Sequence, residues 1–399
     1  MSVAVPPIPH PGEAARRPPG TVLRTCAAIV GAGAVTPLGA SLAETWDALL
    51  AGQYITDHAR AAGGWNPASP RVTQMARRAA AAALAESDWV GPLDDVALVV
   101  GTSKGSIEQW IAPAAGGPQP LFDPAGLGDV AADLASYFGL GPRTTLSAAC
   151  ASGLAALARA AMLIESGHAR RALVVAAEAS LHPLFLGSFK RLGVLPPPGV
   201  GCRPFDESRA GFLMSEAAAA VCLEACEEGQ ARQGDDGGDD ARSSRVIIDR
   251  YALGADASHL TASDPAGHLL QRLIDRVLDG RAVDVVHAHG TGTLANDPVE
   301  LRAVEAALGV GPRSPAASVY SHKGAIGHSL GAAGLVAVVL SRSMHLAGVV
   351  PGNVRTPCPL PTSAAVTIDT RPTVRPVRRS LAIAAGFGGA TAALTLRTL

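Results

Sequence analysis

The stretch Leu146-Ser-Ala-Ala-Cys150-Ala-Ser-Gly153-Leu-Ala-Ala-Leu157 decides the fold, because its second part returns far downstream as His328-Ser-Leu-Gly331-Ala-Ala-Gly334-Leu335. Each copy is followed by a strand-like segment of one type, Arg170-Arg-Ala-Leu-Val-Val-Ala-Ala-Glu178 and Arg378-Arg-Ser-Leu-Ala-Ile-Ala-Ala-Gly386. A unit repeated within one chain is the mark of a duplicated architecture. The duplication predicts that Cys150 and His328 stand at corresponding helix starts and face each other across a pseudo-twofold axis. Chance similarity among Ala/Gly/Leu-rich helices is the alternative.

Outward from the repeats, short apolar runs alternate with helical stretches: a strand over Ala27 to Val30, helices over Leu42 to Leu50 and Gln74 to Leu84, a strand over Val96 to Val100. That succession predicts an α/β layered fold. The segment Glu227 to Ser244 is acidic, glycine-rich and nearly free of apolar residues, so it reads as a solvated loop. Residues 1–24 read as a disordered Pro-rich tail, 25–226 as a first half carrying Cys150, 227–244 as the loop, and 245–399 as a second half carrying the histidines.

The 399 residues are 48% hydrophobic and 17% charged, with a formal net charge of −1, so no basic field attracts nucleic acid or anionic lipid. The six cysteines form no CxxC pair and no framework of spacings, which predicts reduced thiols and a cytoplasmic protein. Met1 to Gly20 holds six prolines but no apolar run of signal-peptide length. Ala79 to Leu84 and Leu330 to Leu340 are too short or too broken to cross a bilayer, so no membrane is expected.

Four segments carry residues fit for chemistry. Cys150 has small neighbours and precedes an Ala/Leu-rich helix, Leu154 to Ile164; a helix start favours a thiolate, the nucleophilic form. A buried inert cysteine is the competing reading. His287-Ala-His289-Gly-Thr291-Gly-Thr293 follows the apolar run Val283 to Val286, at a strand end where loops present functional groups. Ser321-His-Lys323-Gly-Ala-Ile-Gly-His328 delivers a lysine and a histidine through a glycine-rich turn, and Gly386-Phe387-Gly-Gly389 sets one ring among glycines. His287 and His289 share a strand face, as a metal pair would, but no carboxylate or thiolate completes a site of known spacing, so no metal is assigned. Gly31-Ala-Gly33 lacks the strand-to-helix entry of a dinucleotide loop and reads as a structural turn.

Together these segments, with Arg203-Pro-Phe-Asp206, Asp256-Ala-Ser-His-Leu-Thr261 and Asn296-Asp-Pro-Val-Glu300, resemble the β-ketoacyl-acyl-carrier-protein synthases of the thiolase superfamily, elongating Cys-His-His type, from about Cys26 to the C-terminus. The resemblance implies a five-layered αβαβα thiolase fold of two pseudo-twofold-related halves. It further implies a homodimer, or a heterodimer with a homologous ketosynthase, and no bound cofactor, the phosphopantetheine being supplied by an acyl carrier protein. By this likeness Cys150 accepts an acyl group, and an incoming malonyl thioester is decarboxylated and attacks it. His289 and His328 would donate to the malonyl thioester oxygen, and the amides of Cys150 and Phe387 would form a second oxyanion hole. Lys323 would support the histidines electrostatically with Glu300 as its counter-charge. Thr261, Thr291 and Thr293 would hold the pantetheine arm, Ile107 would line the acyl channel, Phe387 would gate it, and Lys190 and Arg191 would meet the acidic carrier.

The chain departs from the family at His287, where asparagine or a small polar residue is more usual. Lys104 is unexpected beside an apolar acyl channel. Two other readings stand beside the main one. A non-catalytic partner subunit of the chain-length-factor kind characteristically lacks the cysteine present here, and a thiolase-like acyltransferase typically uses a second cysteine or a Cys-His-Asn set. Acyl chain length, and fatty-acid against polyketide synthesis, stay open on sequence alone.

Overall fold

The computed structural model of the chain describes residues 24–109, 126–227, 245–258, 264–309 and 316–399. The expected tail up to residue 23, the acidic loop from residue 228 and Thr261 lie outside them. The first half runs β1 (Thr25–Val35), α1 (Leu42–Leu50), α2 (Arg71–Glu86), β2 (Ala97–Gly101), α3 (Asp129–Phe138), β3 (Arg143–Leu146), α4 (Ser152–Glu165), β4 (Arg171–Glu178), α5 (Pro183–Arg191) and β5 (Ala217–Glu227). The second runs β6 (Val246–Ala255), α6 (His268–Leu278), β7 (Val285–His287), α7 (Asn296–Leu308), β8 (Ala317–Tyr320), α8 (Lys323–Ile326) and α9 (Ala333–Ala347). Three short strands follow, β9 (Val349–Val350), β10 (Val366–Thr367) and β11 (Thr373–Val374), then β12 (Arg379–Ala385) and β13 (Ala390–Thr398).

Hydrogen bonding joins the strands in the order β10-β8-β7-β12-β13-β6-β1-β5-β4-β2-β3. Outward from the antiparallel β1–β6 seam, one half gives β1-β5-β4-β2-β3 and the other β6-β13-β12-β7-β8. In both, the successive pairings are antiparallel, antiparallel, parallel and parallel. The repeat seen in the sequence is therefore a repeat of topology.

Side chains alternate across a strand, so a continuous apolar run signals burial on both faces. In β4, Ala172, Val174 and Ala176 face the core around α4 and α9, while Leu173, Val175 and Ala177 face the core around α2 and α3. In β12, Ala382 and Ala384 face inward, and Leu381 and Ile383 meet α6 and α7. The result is five layers, αβαβα, with α4 and α9 in the middle. Each fully buried Leu or Val side chain there contributes about 1.5–3 kcal/mol.

The central helices approach through glycine. A Cβ added to Gly153 would lie 2.7 Å from the Leu335 amide nitrogen, and one on Gly334 would lie 2.9 Å from Leu154 Cγ. This close crossing brings the two helix starts together.

Two expectations change here. Gly31 and Gly33 form no turn; β1 continues through them to Val35, with a register shift between Ile29 and Gly31. Their missing side chains let α2 lie directly on the strand, since a Cβ on Gly31 would stand 2.1 Å from the Ala83 carbonyl oxygen and one on Gly33 2.2 Å from that of Ala79. The helical run from Leu330 extends to Ala347, 18 residues of mean hydropathy 1.5, which is long and apolar enough to cross a membrane. In this fold 83% of it is buried, because it forms the central layer rather than a lipid-facing span.

Candidate active site

Cys150 lies at the end of a strained turn, just before α4. Ala149 is held at φ +48°, a left-handed conformation that crowds a Cβ and persists only where its surroundings enforce it. Ser152 fixes the turn, its hydroxyl accepting from the Ala148 amide at 2.9 Å and donating to the Ala149 carbonyl at 2.6 Å. The sulfur is nearly enclosed, the residue being 9% exposed. Burial pushes the thiol up to about 11, against the opposing pull of the Lys104 and Lys323 cations. The sequence expectation of a helix-lowered thiol is thus reversed, because loss of hydration outweighs the favourable charges. Cys202, in the same apolar cluster, and Cys222, in the core around α2, are pushed higher still, to about 12.

His289 is carried two residues past the end of β7 on a loop turned by Gly290 at φ +36° and Gly292 at φ +73°. Two carboxylates of α7 hold the loop by its amides. Glu300 accepts from His289 N at 2.5 Å and Gly290 N at 2.7 Å, and Asp297 accepts from the amides of Thr291 and Gly292, each at 3.1 Å. The Lys323 ammonium donates to the His289 carbonyl oxygen. Glu300 therefore does not pair directly with Lys323; the two charges grip opposite ends of one residue's backbone. Both are fully buried, and burial raises Glu300 to about 7 and lowers Lys323 to about 8.

His328 follows Gly327, held at φ +76°, much as Cys150 follows Ala149. Its amide donates to the Leu213 carbonyl at 2.7 Å, and its carbonyl accepts from Ser215 N at 3.0 Å. The ring meets His289 edge-on with centroids 5.4 Å apart, and Phe212 likewise at 5.0 Å. Burial first, then the Lys323 cation, drives both imidazoles well below their usual range. They are neutral at pH 7, each with one N–H to donate and one lone pair to accept. His328 Nδ1 has no hydrogen-bond partner among the described residues.

The Gly386–Gly389 turn closes the site from the second half. A Cβ on Gly386 would lie 2.9 Å from the Cys150 amide nitrogen, so the turn sits directly on the cysteine. A cavity of about 290 Å³ opens between these elements, lined among others by Cys150, His289, His328, Phe387, Thr291 and Thr293. The two threonine hydroxyls are 3.0 Å apart. Phe189 and Phe212 line the apolar side, and Phe189 lies 6.1 Å from Phe387, centroid to centroid.

Other candidate residues fall elsewhere. Ile107 is half-buried but does not line the cavity. Lys190 and Arg191 are exposed in the last turn of α5, the helix that contributes Phe189. His287 does not line the cavity; its nitrogens pair with Ser341 at 2.9 Å and His322 at 2.8 Å. The sequence reading gave no role to Phe189, Phe212 or Asp297. For α5, the spacing of Phe185 and Phe189 on one helix face was the available signal.

Comparison with known proteins matches residues 69–229 to the β-ketoacyl synthase N-terminal domain and 246–356 to the β-ketoacyl synthase C-terminal domain. A Streptomyces cyaneus protein named, on inference, polyketide β-ketoacyl synthase 1 is 35% identical over 280 residues, 67% of this chain and 63% of that one. The alignment thus spans somewhat under two thirds of that relative's length. The 3-oxoacyl-[acyl-carrier-protein] synthase 2 of Rhizobium meliloti is 32% identical over 350 residues, 81% of this chain and 79% of the relative. Among solved structures, the ishigamide ketosynthase/chain length factor superposes with a TM-score of 0.79 at 24% identity, covering 94% of this chain and 100% of that one. A type II polyketide acyl-carrier protein in complex with its ketosynthase, AntDE:AntF, gives 0.78 at 23% identity, covering 94% and 100%. At such identities the superpositions establish the fold.

Proposed function

This chain belongs to the β-ketoacyl synthase family, and from that premise we propose that it catalyses decarboxylative Claisen condensation of an acyl thioester with malonyl-acyl carrier protein. The pathway is fatty-acid or type II polyketide-like synthesis. The observation that carries the reading is that Cys150, His289 and His328 line one cavity.

In the first step the Cys150 sulfur attacks the acyl thioester carbonyl, a carbon–sulfur bond forms, and the carrier thiol leaves. A thiol at about 11 is almost wholly protonated at pH 7, so its proton must be taken up as the sulfur attacks. The neutral imidazole of His328, which lines the same cavity as the sulfur, takes that proton and hands it to the departing carrier thiolate, which leaves as the thiol, so the ring is neutral again before the second step. In the second step the malonyl carboxylate departs as carbon dioxide, and the electron pair left behind forms an enolate. Its oxygen is stabilised by N–H groups of His289 and His328, held neutral so that they donate without a charge to neutralise. The enolate carbon attacks the acyl-cysteine carbonyl and expels the Cys150 thiolate, leaving the β-ketoacyl group on the carrier. The amides of Cys150 and Phe387 receive the oxyanion formed on the acyl group in both transfers.

Lys323 and Glu300 act through the His289 peptide they clamp. Thr291 and Thr293 face the cavity where a pantetheine arm would lie, and the family likeness gives Thr261 a role in holding the same arm. The exposed Lys190 and Arg191 suit an acidic carrier protein. Phosphopantetheine arrives on an acyl carrier protein, the kind of partner that the ketosynthase of similar fold binds, and the enzyme works in the cytoplasm without a cofactor of its own. It pairs with a second copy or with a homologue, as the ketosynthase/chain length factor structure does. The test is incubation with an acyl and a malonyl carrier protein. A β-ketoacyl product is expected, and its absence across a range of acyl lengths would refute the assignment.

A further inference from the structure

Neither His287 nor His322 lines the cavity, yet their imidazoles are hydrogen-bonded to each other behind it, with His287 Nε2 and His322 Nδ1 2.8 Å apart. Both residues are wholly buried. The other His287 nitrogen meets the Ser341 hydroxyl of α9 at 2.9 Å, and His322 Nε2 has no partner among the described residues. Burial first, then the Lys323 cation, holds His322 well below the usual imidazole range and His287 down to about 3. Both rings are therefore neutral, so one can donate to the lone pair of the other.

This bond closes a circuit around the site. β7 and β8 pair as far as His287 and Tyr320, and beyond that point the two segments leave the sheet. On one of them His289 comes two residues after His287, and on the other Lys323 directly follows His322. The Lys323 ammonium joins the segments in front by donating to the His289 carbonyl, and the imidazole pair joins them again behind. Between the two ties the Ser321 hydroxyl donates to the Gly290 carbonyl at 2.7 Å. The His322 carbonyl also accepts from the amides of Ala325 and Ile326, at 3.0 and 2.9 Å, so the residue that bears the ring starts the turn on which Lys323 sits. His328 is held separately, on the backbone of Leu213 and Ser215.

We propose that His287 and His322 are positioning residues that hold the Lys323 ammonium and the His289 imidazole in place for decarboxylation. This role rests on the ketosynthase reading, in which His289 serves the malonyl step more than acylation, and the experiment separates the two. Leucine and asparagine have nearly the same shape, but only asparagine puts a polar atom where His322 Nδ1 stood. In full-length His322→Leu, carbon dioxide release from malonyl carrier protein should fall about 10²-fold, as a displacement of about 1 Å near the reacting group does, while acylation of Cys150, read by intact mass, stays within about threefold. His322→Asn should bring carbon dioxide release back to within about threefold of wild type. The double variant His287→Leu/His322→Leu leaves neither ring stranded without a partner, so it replaces a His322→Leu protein too unstable to assay, and its carbon dioxide release should also be low. A wild-type ratio of the two rates in the folded leucine variants, with both rates kept or both lost together, overturns the inference alone. So does a folded His322→Asn protein as slow in carbon dioxide release as His322→Leu. Wild type that neither takes an acyl group on Cys150 nor releases carbon dioxide overturns the ketosynthase reading and this inference with it.

Discussion

Gly386→Ala is the smallest change that tests how the two halves cooperate. The added methyl would meet Cys150 N and Ala149 Cβ, both at 2.9 Å, and the Ala148 carbonyl at 3.0 Å. None of these is the end of a flexible side chain, and the Ala149 turn is already held at φ +48°. The Gly386–Phe387 segment must therefore move away from Cys150. Overpacking of this kind costs about 1–3 kcal/mol of stability, and misplacing an oxyanion donor lowers the rate about 10²–10³-fold. Acyl transfer to Cys150 from an acyl carrier protein, followed by intact mass, should fall by that factor. Alkylation of the same sulfur by iodoacetamide, which builds no oxyanion, should stay within about threefold. Gly187→Ala, where an added Cβ meets nothing within 4 Å, is the control and should leave both rates unchanged. Wild-type acyl transfer in a folded Gly386→Ala protein would refute the reasoning.

Three further outcomes follow from the same geometry. His289→Ala should spare acylation of Cys150 more than decarboxylation of malonyl carrier, measured as acyl-enzyme against carbon dioxide release; equal loss of both contradicts the division of labour. Lys323 has its pKa lowered to about 8 in the fold, from 10.5, so between those values the unfolded chain holds a proton that the folded chain has lost. Its contribution to stability therefore rises with pH across that window, by about 3 kcal/mol in all, and is adverse below pH 8. The stability difference between wild type and Lys323→Met, from urea unfolding at a series of pH values, should change in that window and stay flat below it. Gly31→Val should cost at least 2 kcal/mol, on the order of an overpacked core, because its Cβ would lie 2.1 Å from the Ala83 carbonyl; near-wild-type unfolding would show that α2 yields more easily than it looks.

The repeat of Cys150-Ala-Ser-Gly153 in His328-Ser-Leu-Gly331 was legible because each helix start keeps a glycine three residues after its reactive group, where a Cβ would crowd other backbone: Leu335 N at 2.7 Å for Gly153 and Ser103 N at 2.6 Å for Gly331. The reactive residues were legible too, since small residues and glycines around Cys150, His289 and His328 mark backbone that approaches other groups closely. What depends on partners distant in sequence was not. The direction of the Cys150 shift is set by burial under elements of both halves, so a local helix-start argument gave the wrong sign. Gly31 and Gly33 looked like a turn because the helix that needs their bare backbone lies beyond Arg71. Glu300 and Lys323 were placed in one site, but their link through the His289 peptide is visible only once the loop is folded.

The most direct test of the central claim is peptide mapping by mass spectrometry after the protein meets an acyl carrier thioester, followed by a chase with malonyl carrier protein. One acyl group on Cys150, discharged by the chase as a β-ketoacyl carrier, is the result the account predicts. An unmodified Cys150, label on Cys202 or Cys358 instead, or an adduct that malonyl carrier cannot discharge would contradict it.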